Sequence, residues 1–246
     1  MEIEYKNPNS VEQPGNIGQS NSLRVSLVET GDGSQTLYSG RFNEHYHSVH
    51  GAVQESMHVF IEAGLGKAAE SRKSINLLEI GFGTGLNALL SCVKALQEKL
   101  LINYTSIEAY PLPVSVWSTL NYHQVIASEK TSDLFYKISS AAWDYPAVII
   151  SGFNLIKSVC SLQEAEFTPG HFHLVYFDAF SPAVQPEMWT ENVFRKLYES
   201  MAPGAILMTY SCKGIVKRAL RSSGFTIERL PGPPGKREII RACKLT

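Results

Sequence analysis

Cysteine is scarce in this chain and carries no pattern. Cys92, Cys160, Cys212 and Cys243 stand far apart in 246 residues with no C-x-x-C between them, which excludes a zinc ribbon or a disulfide framework as the organising device. No run approaches the roughly 18 apolar residues of a membrane span, and the opening Met1 to Lys6 is polar rather than a signal sequence. A cytoplasmic protein is the expectation. His45, His47 and His50 cluster, yet no carboxylate or thiol completes a ligand spacing around them, so no metal is expected. Net charge is almost absent at −1, and two common phosphate-binding signatures are missing: there is no G-K-[ST] of a P-loop, and Leu86 stands where a dinucleotide fingerprint needs its last glycine.

What is present is an apolar strand running into a glycine-spaced turn. Leu77-Leu78-Glu79-Ile80-Gly81-Phe82-Gly83-Thr84-Gly85-Leu86-Asn87 joins a buried-strand pattern over 75–80 to a stripe of Leu86, Leu89, Leu90, Val93 and Leu96 at helical spacing. Gly81, Gly83 and Gly85 permit positive φ and let a ligand approach the main chain where a Cβ would stand. A G-x-G-x-G turn with an acidic residue in the strand, Glu79, and a second strand, 102–107, ending in Glu108 is the arrangement of S-adenosylmethionine-dependent methyltransferases. Glu108 at that strand end can accept from both hydroxyls of a ribose. A tight turn of an α/β domain with no ligand is the bland alternative.

Length, 44% apolar content and strand–helix alternation predict one α/β domain. Residues 1–22, rich in Asn, Ser, Gln, Pro and Gly from position 6, read as an irregular arm. An extension over 23–66 follows, with a hairpin of 24–30 and 35–38 turning at Asp32-Gly33 and a helix near 52–65 burying Val53, Met57, Phe60 and Ile61. Beyond the glycine turn the pattern predicts a helix around 112–121, another near 131–141, apolar runs at 146–150 and 153–159, and a strand 173–178 ending in Asp178. A helix capped by Thr190 comes next, with Trp189 stapled to Phe194 and a stop at Pro203-Gly204. A strand 205–210, a basic helix 213–222 and strands 225–230 and 237–243 complete a doubly wound, Rossmann-like class I methyltransferase sheet with an antiparallel tail, occupying 23–246. Ligands of such sheets bind beyond the carboxyl ends of the strands, where strand order reverses. The glycine turn, Glu108 and Asp178 all fall at such ends.

Charge is unevenly spread: residues 211–246 hold nine Lys and Arg against two Glu, an excess of seven, which leaves −8 for the rest. That asymmetry points to an anionic partner; a solvated basic face is the alternative.

At Asp178-Ala179-Phe180-Ser181-Pro182-Ala183-Val184-Gln185-Pro186-Glu187-Met188-Trp189-Thr190 the chain resembles the methyltransferase domain of MnmC, the tRNA 5-methylaminomethyl-2-thiouridine biosynthesis family. The likeness runs in one order over roughly 24–243, through Tyr46 with Gly51 to Ser56, the glycine turn, Gly224-Phe225, and Pro231-Gly232-Pro233-Pro234-Gly235-Lys236-Arg237-Glu238. A string of D-x-F-x-P-x-x-x-P-x-M-W is far rarer by chance than a glycine triplet. The flavin oxidoreductase domain fused to some members has no counterpart, so the resemblance is to a stand-alone form working with a separate oxidoreductase upstream.

The resemblance implies methyl transfer from S-adenosylmethionine to the amine of 5-aminomethyl-2-thiouridine at a tRNA wobble position. It puts Glu79, Gly81, Phe82, Gly83, Thr84, Gly85, Asn87, Glu108, Ala109, Cys160, Ser161, Asp178 and Phe180 at the cofactor. Tyr46, Pro182 and Trp189 fall at the target base, and Lys213, Lys217, Arg218, Lys236 and Arg237 on tRNA. An amine is nucleophilic only when neutral, so Asp178 is the expected proton acceptor, its pKa raised above the usual ~4 by desolvation among Tyr176, Phe180 and Trp189; a helix or loop cap is its structural alternative. One departure stands out: members carry an acidic adenine acceptor after the strand equivalent to 153–159, where this chain has Cys160-Ser161, leaving a hydroxyl or a backbone carbonyl as acceptor. Two other functions share these features, an aminopropyltransferase of the spermidine-synthase kind and a non-enzymatic RNA-binding relative. Oligomeric state cannot be read from the sequence.

Overall fold

A computed structural model describes residues 2–6 and 22–245, with side chains from Arg24 onward, so residues 7–21 of the expected arm lie outside the described residues. Glu2–Lys6 is not irregular: it forms strand β1, antiparallel to β2, Ser22–Glu29. β2, β3 (Gln35–Ser39) and β4 (Glu44–His45) continue a four-stranded antiparallel sheet. Asp32 sets the β2–β3 turn by accepting from the Ser34 N–H and the Thr30 hydroxyl, while Gly33 takes a φ of 80°.

The expected helix over 52–65 is longer and less regular. α1, Ala52–Ser56, runs straight into a π-helical stretch, Met57–Gly66, and ends as α2, Lys67–Ala69. Val59, Phe60, Ile61 and Leu65 are buried, while Val53 and Met57 are half-buried against the same core. Arg241 donates to the Ala63 carbonyl from 178 residues away, and Gly64 lets the helix touch the sheet, where a Cβ would lie 2.9 Å from Met208.

The main sheet is built from β5 (Ser74–Ile80), then α3 (Leu86–Glu98), β6 (Leu101–Glu108), three helices α4 (Val114–Trp117), α5 (Tyr122–Val125) and α6 (Thr131–Ser140), and β7 (Ala147–Ile150). β8 (Phe153–Val159), β9 (Phe172–Phe177), α7 (Glu191–Ser200), β10 (Met201–Thr209), α8 (Gly214–Ser222), β11 (Thr226–Pro231) and β12 (Glu238–Cys243) complete it. Strand order is β11-β12-β10-β9-β5-β6-β8-β7. The five central strands are parallel, and β7, β11 and β12 run antiparallel to their neighbours.

Alternation along each strand feeds two cores. Ile75 and Leu77 meet α3, α6 and the π-helical stretch on one face; Leu78 and Ile80 meet α7 and α8 on the other. Thr190 caps α7 by accepting from the Val193 N–H, with Trp189 against Phe194. The expected helix stop at Pro203-Gly204 is displaced: α7 ends at Ser200, and Met201 already pairs with Phe172 across a register shift that absorbs the Pro-Gly step. The expected helix over 112–121 shortens to α4, which starts after Pro113.

Candidate active site

From β5 the chain moves outward to β6 and β8 on one side, and from β9 to β10 on the other, so strand order reverses between β5 and β9. A cavity of about 460 Å³ opens beyond their carboxyl ends, the position expected for the ligand of an open α/β sheet. Backbone geometry builds its floor. Gly81, Gly83 and Gly85 hold φ of 91°, 51° and 75°, and a Cβ at Gly81 would stand 2.7 Å from the Asp178 carbonyl oxygen, so glycine lets the ends of β5 and β9 close together. Gly85 then N-caps α3 in the left-handed region.

Glu108, closing β6, accepts from the Gly83 N–H at 3.0 Å and the Tyr110 N–H at 2.8 Å. Burial pushes its carboxyl up and those backbone donors pull it back. Each oxygen keeps lone-pair capacity for a further donor. Thr84 accepts from the Tyr122 hydroxyl at 2.9 Å. His47, which is held neutral by burial with a pKa down to about 4, bridges toward Thr36 and Thr84 and ties the N-terminal sheet to the glycine turn.

Asp178 follows β9 and faces the cavity. Its Oδ2 accepts from Asn87 Nδ2 at 2.8 Å, and desolvation, with the negative charge of Glu55 second, pushes its pKa up to about 7. Below it Glu79 is fully buried, accepts from Ser106 and is pushed up to about 8 by burial. Glu79 Oε1 and Asn87 Oδ1 both lack partners among the described residues.

Residues 42–50 form the roof. Phe42 stacks on Phe180 at 4.5 Å and Tyr46 meets Phe180 edge-on at 5.0 Å, while a Cβ at Gly83 would come within 3.2 Å of the Tyr46 ring. Glu44 accepts from the Ser181 N–H.

Of the residues singled out from the sequence, Tyr46, Gly81, Phe82, Gly83, Thr84, Asn87, Glu108, Ala109, Cys160, Ser161, Asp178, Phe180 and Lys236 line this one cavity. Gly85 shapes the turn and Glu79 lies beneath it, outside the lining. Pro182 is also outside, in the turn after Phe180, and Trp189 is 2% exposed, packed on Phe177 with its indole N–H donating to the Phe180 carbonyl. The Ser161 hydroxyl donates to Glu164, which places a carboxylate beside the segment that lacked one.

The basic tail divides. Lys217 and Arg229 pair with Glu238, Arg241 pairs with Glu228, and Lys244 donates to the Tyr198 and Met201 carbonyls. Lys236 turns inward to Glu55. Lys213, Arg218, Arg221 and Arg237 are exposed and make no ion pair among the described residues. Gln163 and Tyr210 also stand in the cavity wall with no local sequence pattern to mark them, and Glu55 and Gln185, which lie in the segments that carry the resemblance, join them there through the tertiary fold.

Comparison with known proteins agrees with this geometry. Residues 154–245 match the family of S-adenosyl-L-methionine-dependent methyltransferases. The tRNA 5-methylaminomethyl-2-thiouridine biosynthesis bifunctional protein MnmC of Magnetococcus marinus is 32% identical over 224 residues, covering 84% of this chain and 32% of that protein. Its Pseudomonas fluorescens counterpart is 29% identical over 211 residues, covering 81% and 32%. The chain thus spans about a third of the length of the curated relatives it matches. Among solved structures, MnmC2 from Aquifex aeolicus superposes with a TM-score of 0.72 at 27% identity, covering 95% of this chain and 72% of that one. A spermidine synthase from Thermotoga maritima, at 0.55, 14% identity and coverage of 92% and 71%, shares the fold. No helix among the described residues is long and apolar enough to cross a membrane. Family match, relatives and fold concur: the chain is an S-adenosyl-L-methionine-dependent methyltransferase, similar over most of its length to the methyltransferase part of MnmC.

Proposed function

We propose that the protein methylates the primary amine of 5-aminomethyl-2-thiouridine at the wobble position of tRNA, using S-adenosylmethionine. The observation that carries this reading is a desolvated Asp178, held by Asn87 on the floor of a cavity shared with the glycine turn and Glu108. The residues fit the cofactor. The cavity is nucleoside-sized, Gly83 keeps the turn bare beneath the Tyr46 ring, which a Cβ would approach to 3.2 Å, Glu108 retains acceptor capacity for a ribose, and Asn87 Oδ1 has no partner among the described residues. When bound, S-adenosylmethionine supplies a methyl on a sulfonium centre.

This chain's residues do the rest. An alkylammonium near pKa ~10 must lose a proton before its nitrogen can attack, and a carboxylate titrating near 7 is a far better acceptor than one near 4. The aromatic roof of Phe42, Tyr46 and Phe180 offers ring faces to a flat base. Holding amine and methyl in line is worth up to ~7–11 kcal/mol. Exposed Lys213, beside the first turn of α8 at the carboxyl edge of the sheet, with Arg218 and Arg237, is suited to tRNA phosphates. Paired Lys217 and inward-facing Lys236 are less free for that role. An oxidoreductase activity would have to supply the amine, and a cytoplasmic site of action follows from the substrate.

Single-turnover methylation of undermodified tRNA tests the assignment. Asp178→Ala is expected to lower the rate by roughly 10²-fold or more with cofactor affinity little changed; near-normal turnover would reduce Asp178 to a loop cap.

A further inference from the structure

Asp178 shares the cavity wall with five other charged side chains gathered from distant segments, Glu44, Glu55, Glu108, Glu187 and Lys236. Glu55 on α1 and Lys236 in the turn before β12 are 181 residues apart and form an ion pair whose side chains are only 10% and 29% exposed. The other Glu55 oxygen accepts from the Ser48 N–H at 2.7 Å. Lys236 Nζ lies 4.0 Å from the centroid of the Tyr210 ring, and the Tyr210 hydroxyl donates to the carbonyl of Ala179, next to Asp178, at 2.9 Å. A lysine with a four-carbon stem in an exposed turn would ordinarily reach water; this one folds inward onto a carboxylate and an aromatic face. The remaining ionisable groups around Asp178 are buried Glu79 on β5 and Tyr104 on β6.

We propose that Glu55 and Lys236 are positioning residues for the methyl-acceptor amine: together they form a self-neutral pair that fixes the electrostatic field in which Asp178 takes the amine's proton. This rests on the amine-methylation reading above. In the step itself one ammonium N–H bond breaks and one Asp178 O–H bond forms. A positive and a negative charge vanish together, and the Glu55–Lys236 pair remains balanced, so the transfer leaves no net charge behind in a poorly hydrated site. Neither residue is the base. Each acts through Asp178, and they act in opposite senses, because a nearby cation favours the ionised carboxyl and a nearby anion opposes it.

The test follows the Asp178 carboxyl by ¹³C NMR in the free protein between pH 4 and 9, assigned by its loss in Asp178→Asn, beside single-turnover pH profiles on undermodified tRNA. Lys236→Gln is expected to move the Asp178 midpoint, and the acid limb of the rate profile, up by on the order of one pH unit, a tenfold loss of rate on that limb. Glu55→Gln is expected to move both down, and the double variant back toward wild type, while Lys236→Arg keeps the wild-type midpoint. Lys236 lies in an exposed turn, so its variant decides the matter alone should Glu55→Gln fail to fold. An unmoved midpoint, or a shift of the same sign in both Gln variants, overturns the proposal. So does a changed salt dependence of tRNA binding in Lys236→Gln with the midpoint unmoved, which would make Lys236 a phosphate contact. If the wild-type protein transfers no methyl to tRNA, the amine reading falls, while the carboxyl titration still decides whether the pair governs Asp178.

Discussion

Replacing Asp178 with Asn should stabilise the protein, and by an amount that depends on pH. The carboxyl moves from an ordinary 3.8 to about 7 on folding, roughly 3 pH units, and at about 1.36 kcal/mol per unit the buried ionised form is disfavoured by on the order of 4 kcal/mol. Because the folded pKa is raised, the penalty is absent below the unfolded value near 3.8. It grows as pH rises and is complete above about 7. Asn keeps an oxygen to accept from Asn87 and carries no proton to lose, so the advantage of Asp178→Asn should widen by about 2–3 kcal/mol between pH 5 and pH 8. Glu79 is present in both proteins and cancels to first order. Urea unfolding followed by circular dichroism at pH 5, 6, 7 and 8, on cofactor-free protein with unchanged m-values, measures it. A stability difference that stays flat with pH, or narrows as pH rises, would refute the claim that folding desolvates this carboxyl. A group kept at such a disadvantage is what a catalytic base requires and a loop cap does not.

Gly83→Val should abolish S-adenosylmethionine binding in calorimetry, since the side chain enters the space beneath Tyr46 at a φ of 51° that branched residues avoid; unchanged affinity would remove the turn from the site. Trp189→Ala should destabilise the fold by about 3–5 kcal/mol in denaturant titration, because the ring is core rather than a platform for a base; a loss of tRNA binding at unchanged stability would reverse that assignment. Lys213→Ala or Arg218→Ala should each lower the slope of log tRNA affinity against log salt by about 1 while leaving cofactor affinity intact, and an unchanged slope would make these residues a solvated face.

The legible parts of the molecule were those whose signal is local. β5, the glycine turn and α3 are contiguous, so strand pattern, glycine spacing and helical stripe reinforce one another within 25 residues. Thr190 capping α7 is likewise a matter of four residues. Where a distant partner decides, the pattern misleads. The π-helical stretch is held in part by Arg241 from 178 residues away, and the start of β10 is set by pairing with Phe172 rather than by the Pro-Gly step within it. Charge is the least local signal: nine basic residues in the tail suggested one basic surface for an anionic partner, yet five of them are spent on partners inside the protein. Glu55 lies in a segment that carries the resemblance, but its ion pair was not legible, because the partner Lys236 comes from the turn before β12, 181 residues on.

The account turns on which bond the protein makes. Undermodified tRNA incubated with the protein and S-adenosylmethionine, digested to nucleosides and analysed by mass spectrometry, should show 5-aminomethyl-2-thiouridine gaining the mass of one methyl, with the added carbon on the exocyclic nitrogen, and no gain with Asp178→Ala. Transfer of an aminopropyl group, a methyl on any other nucleoside, or no change at all with folded, cofactor-binding protein would contradict it.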